Sequence, residues 1–261
     1  MALGILRRGR GGAPGARPVA GERRMTTVEH LQELRRVLIV SVSAWALATV
    51  VAAVFNHVLL SVLEYPLTSV LATHNHLLSK PIITSPTELI TIPIKVAMAG
   101  GLVLSLPVIV WQLWTFVSPG LLPAERRFAL PVILSSLVLF AGGAYLAYFL
   151  MPVWLNLLSS IIGSNAVYFP DLNQYLSFLT LVIVAFAVTF ELPVVIVLLA
   201  MLGIISSAWL RRRRKVVWFA IILGAELITP GVDPVTPLFL AVPLLALFEL
   251  SVLVVAKPLR R

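Results

Sequence analysis

Five glutamates carry most of the chemistry this sequence could perform. Glu191, Glu226 and Glu249 each interrupt a long apolar stretch, as in VAFAVTFELPVVIVLLAML at residues 184–202. An ionised carboxylate in such a setting costs several kcal/mol unless it meets water, a proton or a partner. No Lys or Arg is expected mid-membrane beside these three, so hydroxyls, backbone, water or a proton must satisfy them. Glu33 and Glu125 instead stand beside arginine pairs, in HLQELRRVL and LLPAERRF. Two carboxylates at one surface could each accept a guanidinium bidentately. Both also have plain structural roles, Glu33 on a capped interfacial helix and Glu125 in the first turn of a helix that starts near Pro123. Asp233 lies in LITPGVDP, which reads as a tight turn.

Other chemistries are excluded. Cysteine is absent, so there are no disulfides or thiolate metal sites. The four histidines, His30, His57, His74 and His76, fall outside the apolar runs or at their edges, which argues against an intramembrane metalloprotease or Ser/His protease. No glycine-rich phosphate loop is present.

The elements that must position the glutamates are apolar. The chain is 59% hydrophobic and 12% charged, with a mean hydropathy of +1.00, far from a soluble domain. Six spans are expected, at about 37–58, 92–117, 128–150, 175–205, 216–229 and 238–256. Crossing a hydrocarbon core takes about 20 helical residues, so the 14-residue fifth run is short and implies local thinning or an irregular depth. Pro193 and Pro243 should kink the fourth and sixth spans. The loops at 59–91 and 151–174 read as ordered caps.

The net charge of +9 follows topology and not nucleic acid. Eighteen of the 20 Lys and Arg residues lie in segments 1–36, 118–127, 206–215 and 257–261, leaving Lys80 and Lys95 for the other side. That bias places both termini in the cytoplasm of a multi-pass membrane protein. Trp114, Trp154, Trp209 and Trp218 are expected near span ends, as an aromatic belt. Residues 1–25, rich in Gly, Ala, Pro and Arg, read as a disordered extension. Residues 26–256 read as one membrane domain and 257–261 as a short basic tail. The entry helix at 26–38 starts with a Thr26/Glu29 capping box and aligns Leu31, Leu34 and Leu38 on one face.

Four ordered stretches resemble the TatC family, the membrane core of the twin-arginine protein translocase. They are HLQELRRVL, SLPVIVWQLWTFVSPGLLPAERR, FAVTFELPVVIVLL, and LITPGVDP followed by AVPLLALFE. The resemblance runs over about residues 27–256. It implies an all-α fold of six transmembrane helices in a concave, glove-like arrangement with short fifth and sixth helices. It also implies binding of the twin-arginine signal peptides of folded precursors, with TatA and TatB single-span subunits and other TatC copies as partners. Transport would draw on the proton-motive force, in the cytoplasmic membrane, without nucleotide, metal or other cofactor. Carried onto this chain, Glu33 and Glu125 would receive the arginine pair. Phe116 and Pro119 would shape the site, and Leu34 and Arg35 would hold the helix beside it. Glu191 would be a polar contact for a partner helix, or would hydrate the cavity when a signal peptide inserts. Two other classes stay open on the residues alone. One is a small-solute transporter with Glu191, Glu226 and Glu249 as a proton relay. The other is a scaffold for single-span partners.

Overall fold

The apolar runs become helices because a chain in lipid must satisfy its backbone internally. The computed structural model describes residues 27–74, 80–120, 129–162, 170–228 and 236–256. Within them the order is α1 (Thr27–Val54), α2 (Asn56–His74), α3 (Glu88–Val117), a 3-10 turn (Ser118–Gly120), α4 (Ala129–Ile162), α5 (Leu172–Thr189), α6 (Leu192–Met201), α7 (Ser207–Arg212), α8 (Arg214–Ile228) and α9 (Thr236–Ala256). Five stretches are long and apolar enough to cross a membrane: Val28–Val54, Glu88–Gly120, Ala129–Leu157, Leu172–Met201 and Pro237–Ala256. The fold is that of an all-helical membrane protein. With 15 residues, α8 reaches only about 22 Å, short of a hydrocarbon core of about 30 Å.

Two expectations need correction. The first loop is not free of helix, since α2 fills much of it. Pro66 lies inside α2 and has no N–H for the Val62 carbonyl four residues earlier. The Tyr148 hydroxyl donates to that carbonyl at 2.8 Å, and the Tyr175 hydroxyl donates to the next one, Leu63, at 3.0 Å. The helix breaker is therefore tolerated because α4 and α5 supply the missing donors. Second, Trp154 is not an interfacial anchor. Because α4 continues to Ile162, Trp154 lies 1% exposed in the core, edge-on to Phe186 and Phe239. Trp114 is buried as well. Along the entry helix Leu31 and Leu38 are exposed, Leu34 is half-buried, and Val37 is the buried anchor.

The main core joins α2, α4, α5 and α9 around Leu71, Met151, Trp154, Leu179, Phe186 and Phe248. The α1–α3 pair is held differently. Gly101 lets the α1 backbone approach so closely that a Cβ there would stand 2.6 Å from Thr49 Cα. Close approach at small residues is how helices associate where lipid offers no hydrophobic gain. Trp45 Nε1 donates to the Met98 carbonyl at 3.0 Å and adds a polar tie.

The two segments expected to be ordered caps meet at one end of the bundle. Ile82 bridges Asp171, with Ile82 N donating to Pro170 O at 3.0 Å and Leu172 N to Ile82 O at 2.9 Å. Asp171 caps α5 by accepting from Gln174 N at 2.7 Å.

Candidate functional site

At the other end, the start of α1 meets the close of α3. The two helices run antiparallel, so His30 arrives over Phe116 and their rings stack at 4.3 Å with a 14° interplanar angle. Glu33 lies one turn further along α1. Its carboxylate oxygen Oε2 is 3.8 Å from His30 Nδ1, beyond hydrogen-bond range. That oxygen is buried and has no hydrogen-bond partner among the described residues, although the side chain as a whole is 24% exposed. Among the described residues the site therefore holds an acceptor with no donor of its own.

The remaining side chains frame this acceptor. Leu34 is half-buried and Arg35 and Arg36 are exposed. Ser118 N continues the helical ladder to Trp114 O, and Ser118–Gly120 closes α3 as a 3-10 turn, which leaves Pro119 half-buried. A Cβ on Gly120 would meet Leu202 at 3.0 Å, so the end of α6 backs this turn. Trp114 and Ile133 bury a small cluster behind it with Leu198 and Met201. The structure brings Phe116, His30 and Glu33 together. His30 was not among the expected site residues. Its position three residues before Glu33, on the same helical face, was the available signal. Glu125 and Asp233 lie outside the described residues.

Glu191 occupies a second polar position. The helix is interrupted before Pro193: α5 ends at Thr189, Phe190 and Glu191 keep right-handed helical backbone, and Pro193 sits in the first turn of α6. Proline suits that place because the N–H it lacks would have no helical partner. Glu191 faces α4 there, where the Ser136 hydroxyl donates to Oε2 at 2.7 Å. Its other oxygen is buried and has no partner among the described residues.

The other two intramembrane acids differ from expectation. Glu249 does have a basic partner. Arg214 Nε donates to its Oε1 at 2.6 Å and Trp218 Nε1 to the same atom at 2.9 Å, with the guanidinium 4.9 Å from the Trp218 ring centre. The arginine run was assigned to a loop, whereas Arg214 is the first residue of α8 and reaches across to α9. Glu226 is exposed on α8. Glu191 and Glu249 thus have separate partners, and neither they nor Glu226 line the apolar cavity between α1, α2, α3 and α5.

Among the described residues, no group of His, Cys, Asp and Glu could hold a metal ion.

Comparison with known proteins agrees with this architecture. The family profile for the Sec-independent protein translocase protein (TatC) matches residues 29–243. The TatC of Carboxydothermus hydrogenoformans is 35% identical over 231 residues, covering 88% of this chain and 92% of that protein. The TatC of Deinococcus radiodurans is 38% identical over 226 residues, covering 86% and 83%. A crystal structure of the twin-arginine translocase receptor TatC in DDM superposes with a TM-score of 0.75 at 32% identity, covering 87% of this chain and 99% of that one. Profile, relatives and fold converge: the chain belongs to the TatC family of Sec-independent protein translocases, a multi-pass membrane component of protein transport and not an enzyme.

Proposed function

We propose that this chain is a receptor for the twin-arginine signal peptides of folded precursors. One observation carries the proposal: the buried Glu33 oxygen that has no donor among the described residues, beside the His30–Phe116 stack. A guanidinium supplies two parallel N–H donors in the plane a carboxylate prefers. Glu33 takes one arginine of the pair and Glu125 the other. Phe116 offers its ring to the flat guanidinium face, and Pro119 closes the turn behind it. Leu34 and Arg35 hold the start of α1 in place.

Around this site the chain crosses the membrane six times, with α8 as a short fifth crossing in thinned bilayer and both termini in the cytoplasm. The charge bias of the loops supports that orientation. Residues 26–256 form one concave membrane domain, 1–25 a separate extension and 257–261 a basic tail. TatA- and TatB-type subunits and further copies of the chain assemble with it, and the proton-motive force drives export. Glu191 meets a partner helix through the oxygen that Ser136 does not occupy. Asp233 marks the outer turn.

The test is binding of an Arg-Arg signal peptide to the purified protein, against a Lys-Lys control, in wild type, Glu33→Gln, Glu125→Gln and the double variant. Each single change is expected to weaken Arg-Arg binding at least tenfold, as loss of a charged, bidentate partner costs about 2–3 kcal/mol. Equal binding of both peptides, or unchanged binding in the double variant, would return the glutamates to capping and topology.

A further inference from the structure

Lys95 is a cation inside an apolar span, and no acid among the described residues neutralises it. Its amino group donates to Asn173 Oδ1 at 2.5 Å and Ser177 Oγ at 2.7 Å, both on α5. Among the described residues no carboxylate lies within ion-pair range of it. An ammonium has three donors, so one N–H and the whole positive charge remain to be met.

Depth and surroundings say what could meet them. The 30 residues of α3 extend about 45 Å, against about 30 Å of hydrocarbon. Lys95 is seven residues from the Glu88 end of α3, about 10 Å along its axis. That places it near the hydrocarbon boundary, where a long side chain can reach the level of lipid phosphates. Directly inward lies an apolar cavity of about 310 Å³ lined by Val96, Ala99, Val103, Leu59, Thr180 and Val184, among others. Its mouth faces the bilayer, since Phe55, Val62 and Val103 on its wall are each more than half exposed. The cavity continues the face that carries Lys95: Ala99 is one turn along α3, and Thr180 is one turn past Ser177 on α5. From Val96 to Leu104 it follows α3 for about 12 Å.

We infer that this is a binding site for one anionic phospholipid, with the headgroup phosphate on Lys95 and an acyl chain in the cavity beneath it. A cation at the boundary above a dry apolar slot matches the two ends of that molecule. The net negative charge of the lipid answers the uncompensated lysine, which a zwitterionic lipid does less well. The site lies at the opposite end of α3 from the Glu33 site, so either assignment can fail without the other.

The test is native mass spectrometry of the full chain in detergent after exposure to equal amounts of phosphatidylglycerol and phosphatidylcholine. Wild type, Lys95→Gln, Lys95→Arg and Ala99→Phe are compared, with circular dichroism as a check on folding. Wild type should retain one phosphatidylglycerol with at least tenfold preference, and Lys95→Arg should keep that preference. Lys95→Gln should bind both lipids equally. Ala99→Phe fills the cavity but leaves the Lys95 bonds in place, and should hold neither. Equal retention of both lipids by wild type would overturn the inference. So would an undiminished preference in Lys95→Gln, or phosphatidylglycerol held by Ala99→Phe as tightly as by wild type.

Discussion

Replacing Gly101 with alanine should separate α1 from α3, and the cost can be worked from the contacts. A Cβ at 101 would lie 2.4 Å from Thr49 Oγ1 and 2.6 Å from both Thr49 Cα and N. Carbon contacts settle near 3.5–4.0 Å, so one helix must retreat by roughly 1 Å. Thr49 cannot simply turn aside, because its backbone is in the way and its hydroxyl is bonded to Trp45 O at 2.8 Å. Overpacking of this kind costs about 1–3 kcal/mol, and a backbone obstacle argues for the upper end. Alanine's better helix propensity returns up to about 1 kcal/mol, leaving a net loss of about 2 kcal/mol. Gly142→Ala is the control. Nothing lies within 4 Å of its added Cβ, so that variant should be neutral or gain up to about 1 kcal/mol. Gly100→Ala should fall between the two, since its closest contact, at 2.6 Å, is the flexible end of Leu59. Unfolding in mixed micelles, followed by circular dichroism, would rank the three. Because α1 carries His30 and Glu33, Gly101→Ala should also weaken Arg-Arg peptide binding, while Gly142→Ala should not. If Gly101→Ala were as stable as Gly142→Ala, the close approach of α1 to α3 would be refuted.

Three further outcomes are expected. Removing Ser136 by Ser136→Ala leaves Glu191 with no donor among the described residues and should cost about 1–3 kcal/mol, read by the same unfolding assay; Ser136→Ala and Glu191→Ala should both impair export, and normal export in both variants would make Glu191 structural. A double-mutant cycle of Arg214→Gln with Glu249→Gln should give a coupling of about 0.5–1 kcal/mol, since both side chains are partly exposed, 49% and 30%; a coupling of zero would mean that Trp218 alone holds Glu249. For Asp171, partial burial pushes the carboxyl up, but hydrogen bonds from Gln174 N and the Thr84 hydroxyl outweigh it and hold it below its ordinary value. A depressed folded value stabilises above the unfolded one, so the advantage of wild type over Asp171→Asn should be full above about pH 4 and vanish as pH falls through the folded value. Melting curves against pH would check this, and an advantage that grew on acidification would contradict it.

Five of the six expected spans were legible because lipid enforces a simple code of apolar length. The turn at Ser118–Gly120 was legible from its own residues. The helical cap was not. Nothing local in the sequence reports that Tyr148 and Tyr175 would reach the carbonyls beside Pro66, so a proline in a mixed segment argued for a loop. Trp154 was misplaced for a related reason. Its helix runs 12 residues past the expected boundary, and burial there depends on Phe186 and Phe239, which are distant in sequence. Likewise the partner of Glu249 comes from a residue 35 positions away, which only the antiparallel packing of α8 on α9 brings close.

The acids divide by what remains unmet after folding. Glu249 receives two donors on one oxygen, and Glu88, buried near the Asp171 cap, receives Thr84 N at 3.1 Å and shares the one Thr84 hydroxyl proton with Asp171. Both are accounted for inside the chain and call for no ligand. Glu33 and Glu191 each keep one buried oxygen without a donor among the described residues. An acceptor left so costs about 1–3 kcal/mol, and folding returns nothing for it. The gain has to come from a group that arrives later and brings its own N–H. At Glu33 the flat His30–Phe116 stack suits a guanidinium, which needs a plane as well as a charge. At Glu191 the free oxygen is the one that Ser136 does not occupy. On the proposed function the two carboxylates take different occupants, and Glu33→Gln should weaken Arg-Arg binding at least tenfold while leaving assembly with single-span partners intact.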